Sequence, residues 1–520
     1  MDATVLLLQG TLSFVALFLF YSFWSSRTIS SGDKKKIQAP KPNGAWPILG
    51  HIPLFRGSDP ACRILADMAD KYGPVLRIQF GLQHALVVSG KEAVTEIFTT
   101  NDLSFINRPK AFANSAFFAM TPCGPFWREM RKTAVFELLS NSRLEVLKPM
   151  IASEVTTCIR ELYSVCCNNG IVGRVKFNIG KWIQQVAFNV MMQMMARKRY
   201  SSIGKGATEM ESRIFIKAND GFFVKYNPFE MSNMIPFTEW MDLKGKRRAL
   251  KRTEKELNLI LSSWLEEHKQ SMGNQDQLKE TPDFIHVMLS LLAESDVFLY
   301  GHKGEDVIKA NVSGGIFAGT DTVFVTLTWA LALLLKHKEM LQRAQQELDI
   351  HIGKERWVEE SDIKNLIYTQ AIIKETLRLY PAAPLSVPRQ ALEDCIVAGY
   401  YIPKGTPLFV NLWKLHRDSG TWTDPCEFQP ERFLTSHAGH DPRGQQFGFI
   451  PFTLGRRSCP GTTAGMHIMH LTLARLLQGF DLATPTDEPI NMTEAEGLTL
   501  HKKYPLEVML TPRLPDKLYK

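Results

Sequence analysis

The chain has 520 residues, of which 45% are hydrophobic and 22% are charged, so it is long enough to bury a large core. Its eight cysteines include no C-x-x-C pair, which excludes a cysteine-based disulfide or zinc framework and is typical of a reducing compartment. A formal net charge of +8 would suit a nucleic-acid partner, but no nucleic-acid-binding motif accompanies the basic run at residues 244–252. That run therefore predicts an exposed helix face.

The N-terminus carries the first predicted unit. Residues 5–24 are almost wholly apolar, and about 20 such residues span the core of a bilayer. Asp2 precedes this stretch and basic residues follow it at positions 27 and 34–36, which argues against a cleaved signal peptide. We therefore expect residues 1–24 to be a transmembrane anchor, with the rest of the chain in the cytosol by the positive-inside rule.

The remainder divides into a linker and one folded body. Residues 25–50 are basic and proline-rich, and their prolines predict a stiff linker because they cannot extend a helix. The body, residues 51–520, shows short β-like runs at 75–80 and 85–89, then helical patterns to about residue 380. Mixed strands and loops follow, and a last helix begins after Gly461. The predicted fold class is mainly α with small β-sheets.

The strongest motif is the run Pro-Phe-Thr-Leu-Gly-Arg-Arg-Ser-Cys-Pro-Gly at residues 451–461. It predicts a loop that presents Cys459 just before a helix starting near Thr462. The positive end of that helix and the amides of the loop favour a thiolate, and both lower the expected pKa of Cys459. A cysteine taken alone is more often an inert core residue than a metal ligand.

A second motif lies on the long apolar pattern from about Gly304 to His337. At helical spacing the hydroxyl of Thr322 lies over the carbonyl of Ala318, four residues back, and can bond to it. Glycines at positions 314, 315 and 319 leave room for another group to press against the helix backbone. By itself this pattern fits a kinked core helix equally well.

Two further pairs have helical spacing. Glu375 and Arg378 stand at i and i+3 beside apolar residues, which suggests a partly buried ion pair. Trp127 and Arg131 stand at i and i+4, so one helix face offers an indole N–H and a guanidinium. Each pair alone is ordinary packing.

Together these motifs resemble the cytochrome P-450 superfamily along nearly the entire chain. The family's haem-binding pattern, Phe-x-x-Gly-x-Arg-x-Cys-x-Gly, is matched at Phe452, Gly455, Arg457, Cys459 and Gly461. The resemblance implies the cytochrome P-450 fold behind an N-terminal transmembrane helix, with residues 51–520 as a haem-thiolate monooxygenase domain. It also implies haem b, with Cys459 as the metal ligand and with Phe452 and Arg457 as cofactor-binding residues.

The resemblance assigns further roles. Trp127, Arg131 and Arg389 would bind the haem propionates together with Arg457, since a guanidinium matches a carboxylate. Asp321 and Thr322 match the acid–alcohol pair that delivers protons to bound oxygen, although the next residue, often Ser or Thr in the family, is Val323 here. Three residues match a structural triad that fixes the haem-side scaffold: Glu375, Arg378 and Arg432. The recognition segments of the family place the substrate pocket at Phe117, Phe118, Ile316, Phe317, Ser386, Val387 and Leu498, in a wall that also takes in Phe112.

No Gly-x-Gly-x-x-Gly nucleotide fingerprint is evident, so electrons from NADPH must arrive through a partner reductase. Basic residues near the expected thiolate face, Arg128, Lys132 and Arg456, would suit an acidic reductase surface. The expected location is the endoplasmic reticulum membrane, single-pass, with the catalytic domain cytosolic. The other expected partners are the membrane and a hydrophobic small molecule, and no nucleic acid.

Smaller phrases resemble plant microsomal enzymes, in particular the branch with nicotine demethylases, flavone hydroxylases and alkaloid or terpenoid oxidases. We therefore expect a monooxygenase that hydroxylates or otherwise oxidises a hydrophobic plant specialised metabolite. Two alternatives remain: a haem-thiolate isomerase or dehydratase that needs no electron donor, and a non-enzymatic haem sensor. The plant isomerases and dehydratases typically lack the threonine and carry an altered cysteine loop, and a sensor would not need the acid–alcohol pair.

Overall fold

The computed structural model describes residues 36–520 except 58, 82, 110–115, 168–174, 201–206, 227–245, 273–281, 294–297, 300, 445 and 487. Before residue 36 it describes only Ser13. The predicted anchor at residues 5–24, the first part of the linker and Phe112 therefore lie outside the described residues.

Helices dominate the described residues, and they follow one another along most of the chain. In chain order the α-helices are α1 (Ala61–Tyr72), α2 (Lys91–Phe98), α3 (Pro125–Thr133), α4 (Asn141–Cys167), α5 (Ile179–Ala196), α6 (Ala207–Tyr226), α7 (Lys246–Ser271), α8 (Phe284–Ala293), α9 (Gly304–Lys336), α10 (Lys338–His351), α11 (Ile367–Leu379), α12 (Leu412–Leu415) and α13 (Thr462–Gly479). The predicted final helix after Gly461 is confirmed as α13.

The strands are short and form small sheets at the edge of the helical body. They are β1 (Val75–Phe80), β2 (Gln83–Val88), β3 (Val175–Asn178), β4 (Phe298–Leu299), β5 (His302–Lys303), β6 (Arg389–Gln390), β7 (Cys395–Val397), β8 (Tyr400–Ile402), β9 (Pro407–Val410), β10 (Phe480–Ala483) and β11 (Glu507–Pro512). One sheet has the order β1-β2-β9-β6, another has the order β10-β11-β3, and the remaining four strands form two hairpins. The predicted class, mainly α with small β-sheets, is confirmed.

The central helix α9 organises the core. Among the described residues it is the helix long and apolar enough to cross a membrane, with a mean hydropathy of 1.6, but 78% of that apolar stretch is buried inside the protein. Its apolar residues pack against the other long helices, and near its end Trp329 stacks on Tyr380 at 3.9 Å between ring centroids. The apolar character of α9 therefore reflects its place in the core.

Residues just before position 51 contact the folded body. The carbonyl of Pro40 accepts a hydrogen bond from the amide of Arg77 in β1, and the carbonyl of Ile37 accepts one from the amide of Tyr401 in β8. The buried His51 bridges the same region, because its Nε2 donates to the carbonyl of Pro42. The described part of the predicted linker is thus attached to the sheet region.

Candidate active site

The loop that precedes α13 is held by backbone hydrogen bonds that leave Cys459 near its end. The amide of Cys459 donates to the carbonyl of Phe452, and the amide of Ser458 donates to the carbonyl of Gly455, each at 3.0 Å. Gly455 has a φ of +74°, and a Cβ there would lie 1.9 Å from a carboxylate oxygen of Asp102. The loop therefore requires the glycine that the motif supplies.

The side chain of Cys459 is exposed to an internal cavity, although surrounding protein atoms bury its thiol from bulk solvent. Burial raises the pKa of the Cys459 thiol, whereas the amide of Gly461, the hydroxyl of Thr462 and the charge of Arg131 lower it by less. The predicted amide donor is present and lowers the pKa as expected, but burial outweighs it. Coordination to a metal ion would deprotonate the sulfur in any case.

Four arginines share the cysteine side of the cavity: Arg108, Arg131, Arg389 and Arg457. Burial lowers the pKa of Arg457 to about 9 and that of Arg389 to about 10, although Asp102 raises the latter through a 3.1 Å contact. Burial and the charges of the other three arginines hold the pKa of Arg108 well below its ordinary value. Buried cations at this density call for anions beside them.

Two donors on this wall are buried without a hydrogen-bond partner among the described residues, namely Nε1 of Trp127 and one terminal nitrogen, Nη1, of Arg457. The other nitrogens of Arg457 are satisfied, since Nε donates to the carbonyl of Ile106 and Nη2 to that of Thr121, both at 2.8 Å. Unsatisfied buried donors beside clustered arginines fit the carboxylates of a cofactor. With a thiol on the same wall, the residues present fit haem b.

A buried ion-pair network braces this side of the protein. Arg378 donates to both carboxylate oxygens of Glu375 at 2.7 Å, and Arg432 reaches the same carboxylate at 3.3 Å. The remaining nitrogens of Arg378 bond to backbone carbonyls, including that of His416. The predicted contact among the three residues is confirmed, and they lie outside the cavity wall, as expected of a scaffold.

Helix α9 also lines the cavity and presents Thr322 to it. The hydroxyl of Thr322 donates to the carbonyl of Ala318 at 2.8 Å, which confirms the predicted bond. Side chains press against the glycines as the sequence suggested: a Cβ on Gly315 would lie 2.6 Å from Met195, and one on Gly319 would lie 2.4 Å from Met191. These glycines let α5 approach α9 closely. Gly314 makes the same kind of contact with the ring of Phe117.

Asp321, next to Thr322, turns away from the cavity wall and is buried. Its carboxylate contacts Nε2 of His501 at 3.0 Å, so the predicted acid is paired with a histidine that the sequence did not reveal. Burial lowers the pKa of His501, but the hydrogen bond and charge of Asp321 raise it by more, with a further contribution from Asp220. His501 lies in the irregular segment between β10 and β11, far from α9 in sequence, and no local spacing signals this contact.

The cavity has a volume of about 320 Å³ and a mostly apolar wall. All six predicted cofactor-binding residues lie on it: Trp127, Arg131, Arg389, Phe452, Arg457 and Cys459. Five of the predicted pocket residues also lie on it: Phe117, Phe118, Ser386, Val387 and Leu498. Ser386 adopts a φ of +55°, and such strained backbone in a non-glycine residue is concentrated at functional sites.

Two predicted pocket residues are corrected by the structure. Ile316 and Phe317 are buried but do not line the cavity. On α9 the cavity side carries Gly315, Ala318, Gly319, Thr322 and Thr326, which share one face at helical spacing. Successive helix residues are rotated by about 100°. The side chains at positions 316 and 317 therefore point into the core, where Phe317 packs against Phe222 at 5.5 Å.

The structure adds wall residues that sequence reasoning missed. Three methionines of α5 line the cavity, Met191, Met194 and Met195, together with Phe222 and Phe223 of α6. The spacing i, i+3, i+4 of the methionines does place them on one helix face, but such a face is ordinarily core. Arg108 was also missed; it donates to the carbonyls of Ala119, Val387 and Pro388, which ties three cavity segments together.

Comparison with known proteins agrees with this site. The family model described as cytochrome P-450 matches residues 40–508. The chain is 43% identical to xanthotoxin 5-hydroxylase of Arabidopsis thaliana, over 97% of this chain and 98% of that protein. It is 44% identical to strychnine-10-hydroxylase of Strychnos nux-vomica, over 98% of both chains. It is 42% identical to nicotine N-demethylase of Nicotiana tomentosiformis, over 96% of this chain and 97% of that one.

Proteins of this family contain haem b and receive electrons that originate from NADPH through a reductase. The match spans most of the chain, and the thiol, the arginine wall and the Thr322 helix are all in place around one cavity. The chain therefore belongs to the cytochrome P-450 family and is a haem-thiolate monooxygenase.

Proposed function

We propose that this monooxygenase oxidises a hydrophobic, multi-ring plant specialised metabolite of the alkaloid, coumarin or flavonoid class. The observation that carries the proposal is the cavity of about 320 Å³ beside Cys459, whose wall is built from aromatic and methionine side chains. A cavity of this size and apolarity buries most of the surface of a drug-sized molecule. Relatives with similar sequences are named for strychnine, xanthotoxin, nicotine, protopine and flavonoid substrates.

The cysteine side of the cavity would hold the cofactor. Cys459 would ligate the iron, and Trp127, Arg131, Arg389 and Arg457 would bind the propionates. A thiolate-ligated haem supplies oxygen activation, because the thiolate pushes electron density that favours O–O cleavage. The apolar wall excludes water and orients the substrate.

We assign proton delivery to the part of the cavity wall that α9 forms. The Thr322 hydroxyl faces the cavity while its proton is directed to the carbonyl of Ala318, so its oxygen is free to accept a hydrogen bond from a water. Asp321 lies one residue away but behind the wall, in contact with the partly exposed His501. We assign to His501, Asp321 and Thr322 a path that admits protons from the surface to the cavity, with His501 as a positioning residue.

The reductase would dock on the outside of the cysteine loop. Arg128 and Lys132 are exposed on α3, whose buried face carries Trp127, and Arg456 is 60% exposed beside Cys459 in the loop. This basic face would attract an acidic partner surface and bring it close to the thiolate side. Exposed Phe136 adds an apolar contact next to it.

The chain is proposed to be a single-pass protein of the endoplasmic reticulum membrane, with residues 1–24 as anchor, residues 25–50 as linker and residues 51–520 in the cytosol. Its partners are then the membrane, a reductase and a small molecule, and no nucleic acid. Deleting residues 2–24 should release much of the protein from membranes with its haem retained. Loss of haem and folding together would show instead that the segment belongs to the core.

The proposed reaction is tested with microsomes that contain the full chain and a plant reductase. A library of alkaloids, coumarins, flavonoids and terpenoids is incubated with NADPH and read by mass spectrometry for products heavier by one oxygen or lighter by one methylene. NADPH oxidation should rise with the substrate and fall to background in Cys459→Ser. Conversion that proceeds without NADPH would favour an isomerase or dehydratase, and haem binding without any turnover would favour a sensor.

A further inference from the structure

A second cluster of ligand-type side chains lies where the end of α7 meets the start of α8. It consists of His268 and His286 on either side of Asp283. Nε2 of His268 lies 2.9 Å from one oxygen of Asp283, and Nδ1 of His286 lies 3.0 Å from the other. The side chains of His268 and Asp283 are buried, and that of His286 is 22% exposed. None of these three residues lines the cavity, although Phe284, which follows Asp283 in the sequence, does.

The far nitrogen of each imidazole already has a partner. Nδ1 of His268 lies 2.6 Å from the carbonyl of Trp264, which can only accept, so this nitrogen carries a hydrogen. Nε2 of His286 lies 3.1 Å from the hydroxyl of Ser271, and that hydroxyl donates to the carbonyl of His268 at 2.8 Å. Nε2 of His286 is therefore the donor to Ser271. Outer contacts of this kind fix the tautomer of histidines that bind metals.

The tautomers direct both lone pairs at one carboxylate. With these tautomers in the neutral form, Nε2 of His268 and Nδ1 of His286 each turn a lone pair towards an oxygen of Asp283, so the arrangement requires either a metal ion or added protons between these atoms. We propose that His268, Asp283 and His286 bind one divalent cation of the zinc type, which fastens α7 to α8. Two imidazoles and a carboxylate suit Zn²⁺, whereas Mg²⁺ and Ca²⁺ prefer oxygen ligands.

The distances agree with such a site. Bonds of about 2.0–2.2 Å from zinc to nitrogen and oxygen place two ligand atoms about 2.9 Å apart at a right angle and about 3.4 Å apart at the tetrahedral angle. The observed separations of 2.9 and 3.0 Å lie at the lower end of that range. All three ligand atoms lie within 4.8 Å of one another. Because His286 is partly exposed, a water molecule can complete the coordination.

The alternative to a bound metal ion is an additional proton on the cluster of His268, Asp283 and His286. If His268 is doubly protonated and the Ser271 hydroxyl turns towards His286, the same network closes with hydrogen bonds alone. A metal site binds a fixed number of zinc ions per chain and responds to added metal, whereas a protonated network does neither. This difference is independent of the monooxygenase reaction, so the test needs no turnover measurement.

The experiment uses the full-length, haem-loaded protein in detergent. After chelation and desalting, Zn²⁺ is titrated, and bound zinc per haem and the thermal midpoint are measured. We expect one zinc per chain and a higher midpoint, with affinity at least about tenfold weaker in His286→Ala and Asp283→Asn. His337→Ala serves as the matched control, because His337 is also 22% exposed but lies outside the cluster.

Equal zinc binding by the wild type and His286→Ala would overturn the proposal, as would the absence of any stoichiometric zinc. His286→Ala removes a partly exposed side chain, so it tests the site even if Asp283→Asn fails to fold. Intact haem absorbance in His286→Ala confirms that the variant is folded.

Discussion

The two sides of the cavity are held in different ways. On the cysteine side, buried arginines are tied by hydrogen bonds to backbone carbonyls, as when Arg131 donates to Ser458 at 2.9 Å and Arg389 donates to Leu454 at 2.6 Å. On the side formed by α5 and α6, Met191, Met195 and Phe222 contribute apolar surface whose fit depends mainly on shape. Directional bonds fix positions closely, whereas methionines adapt to irregular shapes. This contrast supports the proposal that the first side holds the cofactor and the second side holds the substrate.

The largest expected effect comes from the metal ligand on the hydrogen-bonded side. Cys459→Ser should reduce product formation to background, because an alcohol is a far poorer ligand and electron donor than a thiolate. The check is the absorbance of the reduced carbon-monoxide complex, in which the red-shifted thiolate band should disappear. If that band persisted in the variant, the ligand assignment would be wrong.

A smaller loss should follow from removing one unpaired donor of the same side. Trp127→Phe removes the indole N–H together with the five-membered ring, and a hydrogen bond to a charged group is worth about 1.5–3 kcal/mol. Haem retention during dilution should therefore fall by roughly tenfold to 100-fold. Trp182→Phe is the control, because Nε1 of Trp182 already donates to the carbonyl of Cys158 at 2.8 Å. Unchanged or improved haem retention in Trp127→Phe would mean that this donor meets no propionate.

The next prediction concerns Thr322, which α9 presents to the cavity. Thr322→Ala should leave haem content and substrate binding nearly intact, because alanine suits a helix interior. Product per NADPH should fall by roughly tenfold, less than the range of about 10²–10⁴ for a removed proton-transfer group, since water can partly replace the hydroxyl. Thr376→Ala is matched, as its hydroxyl also bonds to the carbonyl four residues back.

Hydrogen peroxide is measured in the same reactions, because electrons that do not reach product should appear there. Unchanged product per NADPH with low peroxide in Thr322→Ala would remove this hydroxyl from proton delivery. Altered substrate binding with unchanged coupling would instead assign it a purely structural part in the helix.

The difference between the two sides also explains what the sequence could predict. The fold class, the cysteine loop and the Glu375–Arg378 pair follow from local spacing, since each requires particular residue types at fixed intervals. The place of Arg432 beside that pair and the expected roles of Trp127 and Arg457 came from the resemblance to the family. Such residues are identifiable because directional bonds tolerate few substitutes.

The rest depended on tertiary packing. Ile316 and Phe317 were assigned to the pocket from their segment, but the helix phase turns them into the core. The methionines of α5 look like core residues in sequence and become wall residues only because α5 meets α9 at Gly315 and Gly319. Apolar contacts do not require particular residue types, so many different sequences can fill the same space.

A moderate effect is expected from the Asp321–His501 pair, which sequence spacing also missed. The pKa of His501 is raised above its ordinary value of 6.5, so the folded state favours the protonated imidazole. The stability that the pair contributes is then fully present below pH 6.5 and is lost as the pH rises through the folded-state pKa. The thermal midpoint of His501→Gln should fall below that of the wild type by a few degrees in acid and approach it in alkali.

Asp321→Asn should remove the same pH dependence, and the double variant should add little to either single variant, because both act on one pair. Thermal unfolding from pH 5.5 to 9 gives the comparison. A difference between wild type and His501→Gln that grows with pH would contradict the assignment of a protonated His501.

The smallest effect is expected from a substitution on the side formed by α5 and α6. It tests the difference between the two sides of the cavity most directly. Met195→Leu keeps the volume nearly constant, so stability should change by less than about 1.5 kcal/mol. Leucine is branched at Cγ, whereas methionine is unbranched and flexible, so the shape of the cavity wall changes. The substrate should therefore shift within the cavity, and the ratio of oxidised positions should change. The haem content should stay constant. Met288→Leu is the control, since Met288 is buried but does not line the cavity. If Met195→Leu altered haem retention as much as Trp127→Phe, the division between a cofactor side and a substrate side would fail.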